Sequence, residues 1–349
     1  MPTEEGIGIK RYIASRIVQT LIVWFLTISL NFFIFRIMPG DPRASLINEN
    51  MPPELIQAIV ARFGLDQPLM TQYIVYLRNV FIGELGQSFS NFGQTVSDVI
   101  FGRPNIAYIF GIPVVIGFQH PSPLMNTIAL MGTSMLIAII IGILFGVIAA
   151  WKRNSIFDVS STVGFLVTYS FPVFWLGLLI LYYLGFVYNL IPLADTTTPG
   201  LVHANYFHFL QDYLWHMTGP TIVLTVSFIG MFFLIMRDSV LDVFTQDYML
   251  AARAKGLETR KVLFSHAMRN AMLPMVSVIA VSMPYLISGA SITEYIFTWN
   301  GLGTKILNAV ITNDWPVLQA IFLLLATVAI ISNFIADLIY LYLDPRIRY

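Results

Sequence analysis

Three histidines and an aspartate lie close together in the segment HANYFHFLQDYLWH, residues 203–216. His208, Asp212 and His216 are spaced at i, i+4 and i+8, so on a helix their side chains share one face. Imidazole and carboxylate groups in that arrangement are able to bind a transition metal. An aromatic-rich helix at a membrane interface carries the same residue types without any metal. The interfacial helix is the interpretation adopted here, and we predict no metal site.

The string GLGTK, Gly301–Lys305, has the glycines and lysine of a phosphate-binding loop but not their spacing. A P-loop needs Gly-x-x-x-x-Gly-Lys followed by Ser or Thr, and the sequence contains no such string. We expect Gly301 and Gly303 to form a turn near an outer gate or entrance. The sequence also lacks paired catalytic carboxylates, a His-Glu-x-x-His motif and a convincing nucleophile. The chain is therefore not expected to be an enzyme or to bind a cofactor of its own.

A charged block, Asp247–Pro274, interrupts long apolar runs. Its residues are good helix formers, except that Gly256 reaches the left-handed conformation at low cost and is expected to end one short helix. Ala251 and Ala252 have little side-chain bulk, so the surface of another protein can approach the backbone closely. Two interpretations stay open from these residues alone: a docking element for a soluble partner, or an ordinary basic loop beside a membrane.

The elements that position these residues are membrane spans. Hydrophobic residues make up 57% of the chain and charged residues 11%, whereas a soluble domain has about 25% charged residues. A helix that crosses the hydrocarbon layer needs about 20 apolar residues. Six stretches meet this requirement: Ile17–Phe35, Leu124–Trp151, Val159–Leu190, Thr218–Met236, Met272–Thr293 and Trp315–Leu343. The shorter patch Ile106–Phe118 is predicted to form a β-hairpin outside the membrane, with its turn at Gly-Ile-Pro.

The distribution of Lys and Arg orients the six spans. An even number of spans puts both termini on one side, and that side collects 13 of the 19 basic residues, including those of the charged block. Because short cytoplasmic loops are enriched in Lys and Arg, this side is predicted to be the cytoplasm. The predicted divisions are a cytoplasmic N-terminus (1–16), a first span (17–37), an extracytoplasmic segment (38–123) and a five-span core (124–349) with a cytoplasmic loop at 237–271. Two further external segments are Asp195–Met217 and Thr293–Pro316.

Several polar or helix-breaking positions near the spans are candidates for a hydrated pathway or gate. They are Asn126, Thr127, Pro172, Ser288, Ser291 and Thr293, with Gly301 and Gly303 in the following loop. Pro172 lacks an N–H, so it kinks the third span and frees a carbonyl. Packing between helices explains small and hydroxylated residues just as well. Asp337, near the cytoplasmic end of the last span, is expected to pair with a local cation or polar group rather than to bind substrate.

Eight short motifs run in a fixed order through nearly the whole chain. They are MPGDP (Met38–Pro42), FGLDQPLMTQY (Phe63–Tyr73), SFPVFWLGLLI (Ser170–Ile180), ARAKGL (Ala252–Leu257), HAMRNAMLP (His266–Pro274), WNGLG (Trp299–Gly303), NDWPVLQA (Asn313–Ala320) and LDPRIRY (Leu343–Tyr349). In this order they resemble the dipeptide/oligopeptide/nickel type of ABC-transporter permease, the inner-membrane component of binding-protein-dependent import. The stretch from about 102 to 122 is longer than in that family's pattern.

The resemblance implies an all-α membrane protein with six transmembrane helices, similar to a type I ABC importer permease, with an extracytoplasmic insertion between spans 1 and 2. It also implies four partners in the cell membrane: a second homologous permease subunit, two cytoplasmic ATPase subunits that bind ATP and Mg, and an extracytoplasmic substrate-binding protein. The charged block then corresponds to the ATPase-coupling loop, with Ala251, Ala252, Gly256 and Leu257 as contact or shaping positions. Leu250 stands where the family motif has an acid, so no ionic contact is implied there.

The substrate stays open, because peptides, oligosaccharides and nickel are all carried by transporters of this kind. The rival function is a secondary transporter or channel driven by an ion gradient. Such a protein is expected to carry charged residues along an ion path and inverted repeats in its two halves. The sequence shows neither feature, since charges are almost absent from the spans and the halves differ.

The coupling role of the charged block is testable at Gly256. Replacement of Gly256 by valine is expected to uncouple ATP hydrolysis from transport or to prevent ATPase docking, because a β-branched residue disfavours the left-handed turn. The measurements are assembly with the ATPase subunits, ATP hydrolysis and uptake in vesicles. Normal assembly and transport would show that Gly256 is only a loop turn.

Overall fold

The computed structural model of the protein is almost entirely helical. It describes residues 4–37, 64, 66–91, 93–102, 104–109, 112–118, 121–249, 267–288 and 290–343, together with positions 54 and 60. The helices in this part of the chain are α1 (Glu4–Ile37), α2 (Leu69–Ile82), α3 (Val96–Phe101), α4 (Pro123–Trp151), α5 (Ile156–Ser170), α6 (Val173–Ile180), α7 (Tyr206–Phe244), α8 (Met268–Ser282), α9 (Tyr285–Ser288), α10 (Ser291–Ile296), α11 (Leu302–Ile311) and α12 (Trp315–Leu343). A π-helical segment, Leu181–Val187, continues α6.

Five helical segments of the described chain are long and apolar enough to cross a membrane. They comprise α1, α4, α7, the stretch Asn270–Ile296 and α12. The consecutive helices α5 and α6 supply a sixth crossing when they are counted as one broken span. The predicted all-helical fold is confirmed, and the predicted count of six spans corresponds to this way of counting.

The predicted third span, Val159–Leu190, is not one gently kinked helix. It consists of α5 and the α6–π segment, which meet at an angle of 96°. Phe171 has φ −73° and ψ 135°, an extended conformation, because the ring of a following proline disfavours the helical conformation of the preceding residue. Pro172 then precedes α6, where its missing N–H costs nothing. The proline therefore breaks the span rather than only kinking it.

Helix α7 is longer than predicted at its outer end. The segment Asp195–Met217 is predicted to lie outside the membrane, and α7 begins within it, at Tyr206, and continues without interruption through Pro220 to Phe244. The side chain of Asn205 caps the helix by accepting a hydrogen bond from the His208 N–H. Such a cap satisfies one of the free N–H groups of a helix start and fixes its position.

Helices α4 and α7 form the centre of the molecule, and two glycines allow their backbones to meet. A Cβ placed on Gly142 would lie 2.7 Å from the Phe232 Cβ and 2.9 Å from the Phe233 N. A Cβ on Gly146 would lie 2.8 Å from the Phe233 carbonyl oxygen. Because lipid tails are as apolar as side chains, close van der Waals packing at small residues is a main source of helix association in membranes.

Two ion pairs connect helices of the described chain that are distant in sequence. Arg237 of α7 donates from Nε to Asp158 Oδ1 at 2.7 Å and from Nη2 to Oδ2 at 3.2 Å. Arg16 of α1 lies 3.3 Å from Asp337 of α12, between Nη1 and Oδ2. The prediction that Asp337 pairs with a local cation is therefore confirmed.

The predicted β-hairpin is present as β1 (Pro104–Ile109) and β2 (Ile112–Phe118), which pair antiparallel. Its turn differs from the prediction, because Ile109 pairs with Ile112 and Tyr108 pairs with Pro113. The chain therefore reverses before the Gly-Ile-Pro sequence is complete, and Pro113 lies in β2. A two-stranded sheet has two edges, where a proline is tolerated.

Asp314, just before α12, connects residues 88–90 to the start of that helix. Its Oδ1 accepts a hydrogen bond from the Phe89 N–H at 3.0 Å. Its Oδ2 accepts from the Ser90 N–H at 3.1 Å, from the Ser90 hydroxyl at 2.6 Å and from the Ser88 hydroxyl. A carboxylate that is only 1% exposed is stabilised by such a set of donors.

The α4–α7 contact is testable with one added methyl group. Gly142→Ala places that group against backbone and Cβ atoms, and we expect a loss of about 1–3 kcal/mol in the free energy of unfolding. Gly132→Ala in the same helix meets nothing within 4 Å, so it is expected to be neutral or to stabilise by up to about 1 kcal/mol. Thermal unfolding of the purified variants in detergent compares the two. Equal Tm values would contradict the close-packing assignment.

Candidate translocation site and its closing loop

The break in the third span lies beside a cavity, called here the break cavity. It has a volume of about 500 Å³ and is enclosed by α4, the α5–α6 break, α7 and the region of α8 and α9. Its main lining residues are Met135, Tyr169, Phe171, Ser227, Met231 and Tyr285. A cavity of this size at a broken helix, between several spans, is where transport proteins bind or pass their solutes.

The two serine hydroxyl groups at the break cavity donate hydrogen bonds within their own helices. Ser227 Oγ donates to the Val223 carbonyl at 2.8 Å, and Ser282 Oγ donates to the Val278 carbonyl at 2.7 Å. The remaining wall consists of aromatic rings, Met and Val side chains. Such a wall offers broad apolar contact and few fixed polar partners, so it suits passage of varied side chains more than tight recognition of one group.

The predicted pathway residues fall into two groups. Pro172 lies at the break itself, and its neighbours Phe171 and Val173 both line the break cavity. Ser288 lies at the end of α9, one turn after Tyr285, and its hydroxyl donates weakly to the Tyr285 carbonyl at 3.4 Å. Asn126, Gly301 and Gly303 lie elsewhere, in a buried contact between α4 and the loop from α10 to α11. A pathway role for these residues stays a prediction.

Asn126, in the first turn of α4, holds three other segments together. It is 1% exposed, and its amide donates to the Asn300 carbonyl at 2.8 Å and to the Pro121 carbonyl at 3.3 Å. Its Oδ1 accepts a hydrogen bond from the Tyr213 hydroxyl at 3.0 Å. The amide thus has a partner for each of its polar atoms, as a buried side chain requires.

Glu294 of α10 forms the centre of the same contact. Its carboxylate is fully buried and accepts a hydrogen bond from the Thr127 hydroxyl at 2.8 Å and from the Thr304 N–H at 3.2 Å. The Thr127 oxygen in turn accepts from the Leu302 N–H at 2.8 Å. The chain between Glu294 and Thr304 therefore wraps around a carboxylate and a hydroxyl. We call this set of contacts the Glu294 latch.

Gly301 and Gly303 are glycines because the Glu294 latch leaves no room for a side chain. A Cβ on Gly301 would lie 2.6 Å from Thr127 Oγ1 and still closer to the Glu294 carboxylate. A Cβ on Gly303 would lie 2.5 Å from the Ser291 Cα and 2.8 Å from Glu294 Oε2. Gly301 precedes α11 as its N-cap and Gly303 lies in the first turn of that helix, so the two glycines do not form the predicted turn between them, and they allow the backbone to approach a buried acid. Their place near an outer gate stays a prediction.

Trp299 fixes the loop between α10 and α11 to the central helices. Its side chain is fully buried, and its Nε1 donates to the Asn126 carbonyl at 3.1 Å. Its ring packs against Tyr213 of α7 with the ring centroids 5.2 Å apart. Through Asn126, Trp299 and Tyr213 the loop is fixed to both central helices, α4 and α7.

The histidine cluster of the outer segment is organised around Asp212. His203 Nε2 lies 3.0 Å from Asp212 Oδ2, and His216 Nδ1 lies 3.4 Å from Oδ1. Thr198 donates to the same carboxylate from its N–H at 2.8 Å and its hydroxyl at 2.7 Å. The two imidazoles approach different oxygens of one acid, and no group able to hold a metal ion occurs in the described residues. This cluster connects the 195–205 segment to α7.

The predicted coupling residues Ala251, Ala252, Gly256 and Leu257, as well as Leu250, lie outside the described residues. The described part does fix both sides of that loop. Arg237, held by Asp158, precedes it, and the Tyr248 hydroxyl accepts a hydrogen bond from the Asn270 amide at 2.7 Å across its base. Tyr248 and Asn270, on either side of the stretch that is not described, are thus in contact.

The described chain has several apolar spans, one of which is broken at a cavity, and a loop that packs onto the central helices. These features are those of a polytopic membrane protein of the transport class. Comparison with known families specifies the class further. Residues 142–349 match the binding-protein-dependent transport system inner membrane component, and residues 9–103 match the N-terminal part of the membrane component of such systems. The chain belongs to this family.

Named relatives are similar over almost their full length. A putative peptide permease protein of Brucella suis is 34% identical over 340 residues, 97% of this chain and 99% of the relative. The oligopeptide transport system permease protein AppB of Bacillus subtilis is 30% identical over 338 residues, 97% of this chain and 99% of the relative. The dipeptide transport system permease protein DppB of Escherichia coli is 34% identical over 345 residues, 93% of this chain and 95% of the relative.

Sequence reasoning did not identify Glu294, Tyr213 or the rings of the break cavity as site residues. Glu294 does have a local signal, since it is the single charged residue in Ser291–Gly303 and a glycine pair follows it. A lone acid in an apolar loop, with glycines close behind, indicates backbone wrapped around a carboxylate. The cavity rings have no such signal, because aromatic residues occur throughout the spans.

The Glu294 latch is testable at Thr127. Thr127→Val keeps the shape of the side chain but leaves the Leu302 N–H and one carboxylate oxygen without a partner, and we expect a loss of about 1–3 kcal/mol in stability. Thr127→Ser keeps the hydroxyl and is the matched control. Thermal unfolding and limited proteolysis of the 297–305 loop report the outcome. Equal stability and equal cleavage of the two variants would show that the latch contributes nothing.

Proposed function

We propose that this chain is a permease subunit of an ATP-driven importer of peptides and forms half of its translocation pathway. The observation that carries the proposal is its similarity, over 93–97% of its length, to relatives named as peptide, oligopeptide and dipeptide permeases. A cavity lined by aromatic rings and Met side chains supports peptides over nickel, which needs N, O or S ligands in a fixed geometry. An oligosaccharide is the remaining alternative substrate.

The transporter in this proposal contains four further subunits. A second, homologous permease closes the pathway from the other side, and an extracytoplasmic binding protein delivers the substrate. Two cytoplasmic ATPase subunits bind ATP and Mg and contact the coupling loop at Ala251, Ala252, Gly256 and Leu257. Both termini and the coupling loop lie in the cytoplasm in this arrangement, as the distribution of Lys and Arg indicates.

Coupling requires that ATPase movement reach the break cavity. The coupling loop follows α7 directly, and α7 contributes Ser227 and Met231 to the wall of that cavity. The bidentate contact of Arg237 with Asp158 joins the inner end of α7 to α5, the first half of the broken span. A shift of the coupling loop therefore acts on both walls of the break cavity, and ATP binding biases a two-state membrane element.

The rival function, a transporter or channel driven by an ion gradient, needs charged groups that are available along a path. Among the described residues within the spans, Asp158 pairs with Arg237, and Asp337 pairs with Arg16. Glu294, near the end of the stretch Asn270–Ile296, is held by the Thr127 hydroxyl and the Thr304 N–H. None of these acids lines the break cavity, which supports a pathway without titrating carboxylates of its own.

Uptake of a labelled di- or tripeptide into proteoliposomes tests the proposal. We expect uptake to require ATP, the partner permease, both ATPases and the binding protein. Uptake by this chain alone in response to a proton or sodium gradient would overturn the proposal and favour the rival.

The same assay tests the break cavity. Ser227→Phe is expected to fill part of the cavity and to lower the peptide uptake rate at least tenfold, while the complex still assembles and hydrolyses ATP. Leu144→Phe adds a similar ring at an exposed position of α4 and serves as the control. A normal uptake rate for Ser227→Phe would show that substrate does not pass this cavity.

A further inference from the structure

A second cavity, called here the outer cavity, lies between α3, the first residues of α4, and α11. Its volume is about 690 Å³. Its wall is mostly polar and includes Asn91, Gln94, Ser122, Asn300, Asn308 and Thr312. A wall of amides and hydroxyls is hydrated rather than filled by lipid, because such groups need hydrogen-bond partners. No residue is shared with the lining of the break cavity.

Lys305, in the first turn of α11, also lines the outer cavity. Its side chain is half-buried, and burial lowers the pKa of its ammonium group. No ion pair or hydrogen bond of this ammonium occurs within the part of the chain that the structure describes. A half-buried cation without a partner is costly, and a carboxylate that reaches it offsets this cost.

Two acids, Asp98 and Asp314, also line the outer cavity, and both are already engaged, as is Glu294. Asp314 accepts four hydrogen bonds from Ser88, Phe89 and Ser90. Asp98 forms the capping box of α3 with Thr95, and Glu294 is held in the Glu294 latch. None of the three lies within 4 Å of the Lys305 ammonium. The outer cavity therefore presents a cation whose partner is not one of these acids.

We infer that the outer cavity is a docking recess for an acidic side chain of the extracytoplasmic binding protein, whose carboxylate pairs with Lys305. The inference rests on the proposed function. The occupant is argued from the half-buried Lys305 ammonium, because Asp98 and Asp314 in the same lining are engaged in their own hydrogen bonds. It is also argued from the predicted extracytoplasmic side of Lys305 and from membership of a family whose transport depends on a binding protein. The amides of Asn300 and Asn308 supply hydrogen bonds to the backbone around the docked acid.

Docking at this position reaches the membrane core directly. Lys305 follows Thr304, whose N–H donates to Glu294 and whose hydroxyl donates to the Trp299 carbonyl at 2.7 Å. A displacement of Lys305 by the docked protein therefore moves the contacts of the Glu294 latch and, through Thr127, α4. This connection lets the binding protein act on the membrane core as well as deliver substrate.

The test measures stimulation of ATP hydrolysis by the binding protein, with the complete transporter in nanodiscs of phosphatidylcholine, so that no anionic lipid competes for Lys305. Lys305→Glu is expected to raise the half-saturating concentration of binding protein at least tenfold, and Lys305→Met at least threefold. Lys305→Arg is expected to stay near the wild-type value.

Arg78→Glu, the same charge change at an exposed position of α2, is the matched control and is expected to have little effect. Added NaCl should weaken stimulation of the wild type more than that of Lys305→Met, because a charge pair is screened by salt.

Each outcome bears on a different statement. A wild-type transporter that neither responds to a binding protein nor takes up peptide contradicts the proposed function. A wild type that responds, with Lys305→Glu and Lys305→Met equal to it, overturns the docking inference alone. The inference also fails when both variants keep the affinity for binding protein but lose discrimination between a free-acid peptide and its C-terminal amide. Lys305 would then contact substrate. Because Lys305→Met introduces no buried acid, it carries the test where Lys305→Glu does not assemble.

Discussion

The structure depends on one constraint: a polar or charged group within an apolar layer must find its partner inside the protein. Three carboxylates in the described spans and loops meet this constraint in different ways. Asp158 takes a two-pronged contact from Arg237, and Asp337 pairs with Arg16. Glu294 makes no ion pair with a described residue and is held by a hydroxyl and a backbone N–H. Each contact joins helices that are distant in sequence, so satisfying the charge also fixes the arrangement of the spans.

The same constraint explains where glycine is needed. A backbone N–H reaches a buried carboxylate only when no side chain intervenes, and Gly301 and Gly303 meet that condition at Glu294. In the centre of the molecule the argument is one of packing rather than hydrogen bonding. Gly142 and Gly146 allow α4 to touch the backbone of α7, which supplies the dispersion energy that replaces the hydrophobic effect in lipid. Glycine thus serves two different purposes in one chain.

The sequence predicts those features that depend on local composition. Apolar length identifies the spans, a proline identifies the break at Pro172, and β-branched residues identify the hairpin. It does not predict the Glu294 latch, since Thr127 and Glu294 are 167 residues apart and no spacing rule connects them. The size of the break was also missed. A proline is compatible with either a small kink or a sharp bend of a span. Which of the two forms depends on how the two halves pack against the surrounding helices. The external position of Asp195–Met217 stays a prediction, because a helix of 39 residues is longer than the hydrocarbon layer and its first turns are able to lie outside it.

A chain of direct contacts connects the outer cavity to the break cavity. The outer cavity ends at α11, whose first residues are bound to Glu294 and Thr127. Asn126, next to Thr127 on α4, is bound to Tyr213 of α7. Helices α4 and α7 then run to the break cavity, where Met135 and Ser227 form facing parts of the wall. Because α4 and α7 meet backbone to backbone, neither moves far without the other. Helix α5 is held to α7 as well, by the Arg237–Asp158 pair and by the close approach of Gly230 to the Phe165 carbonyl. Because no continuous helix crosses Pro172, α6 is the part of the third span that is not rigidly joined to this three-helix group.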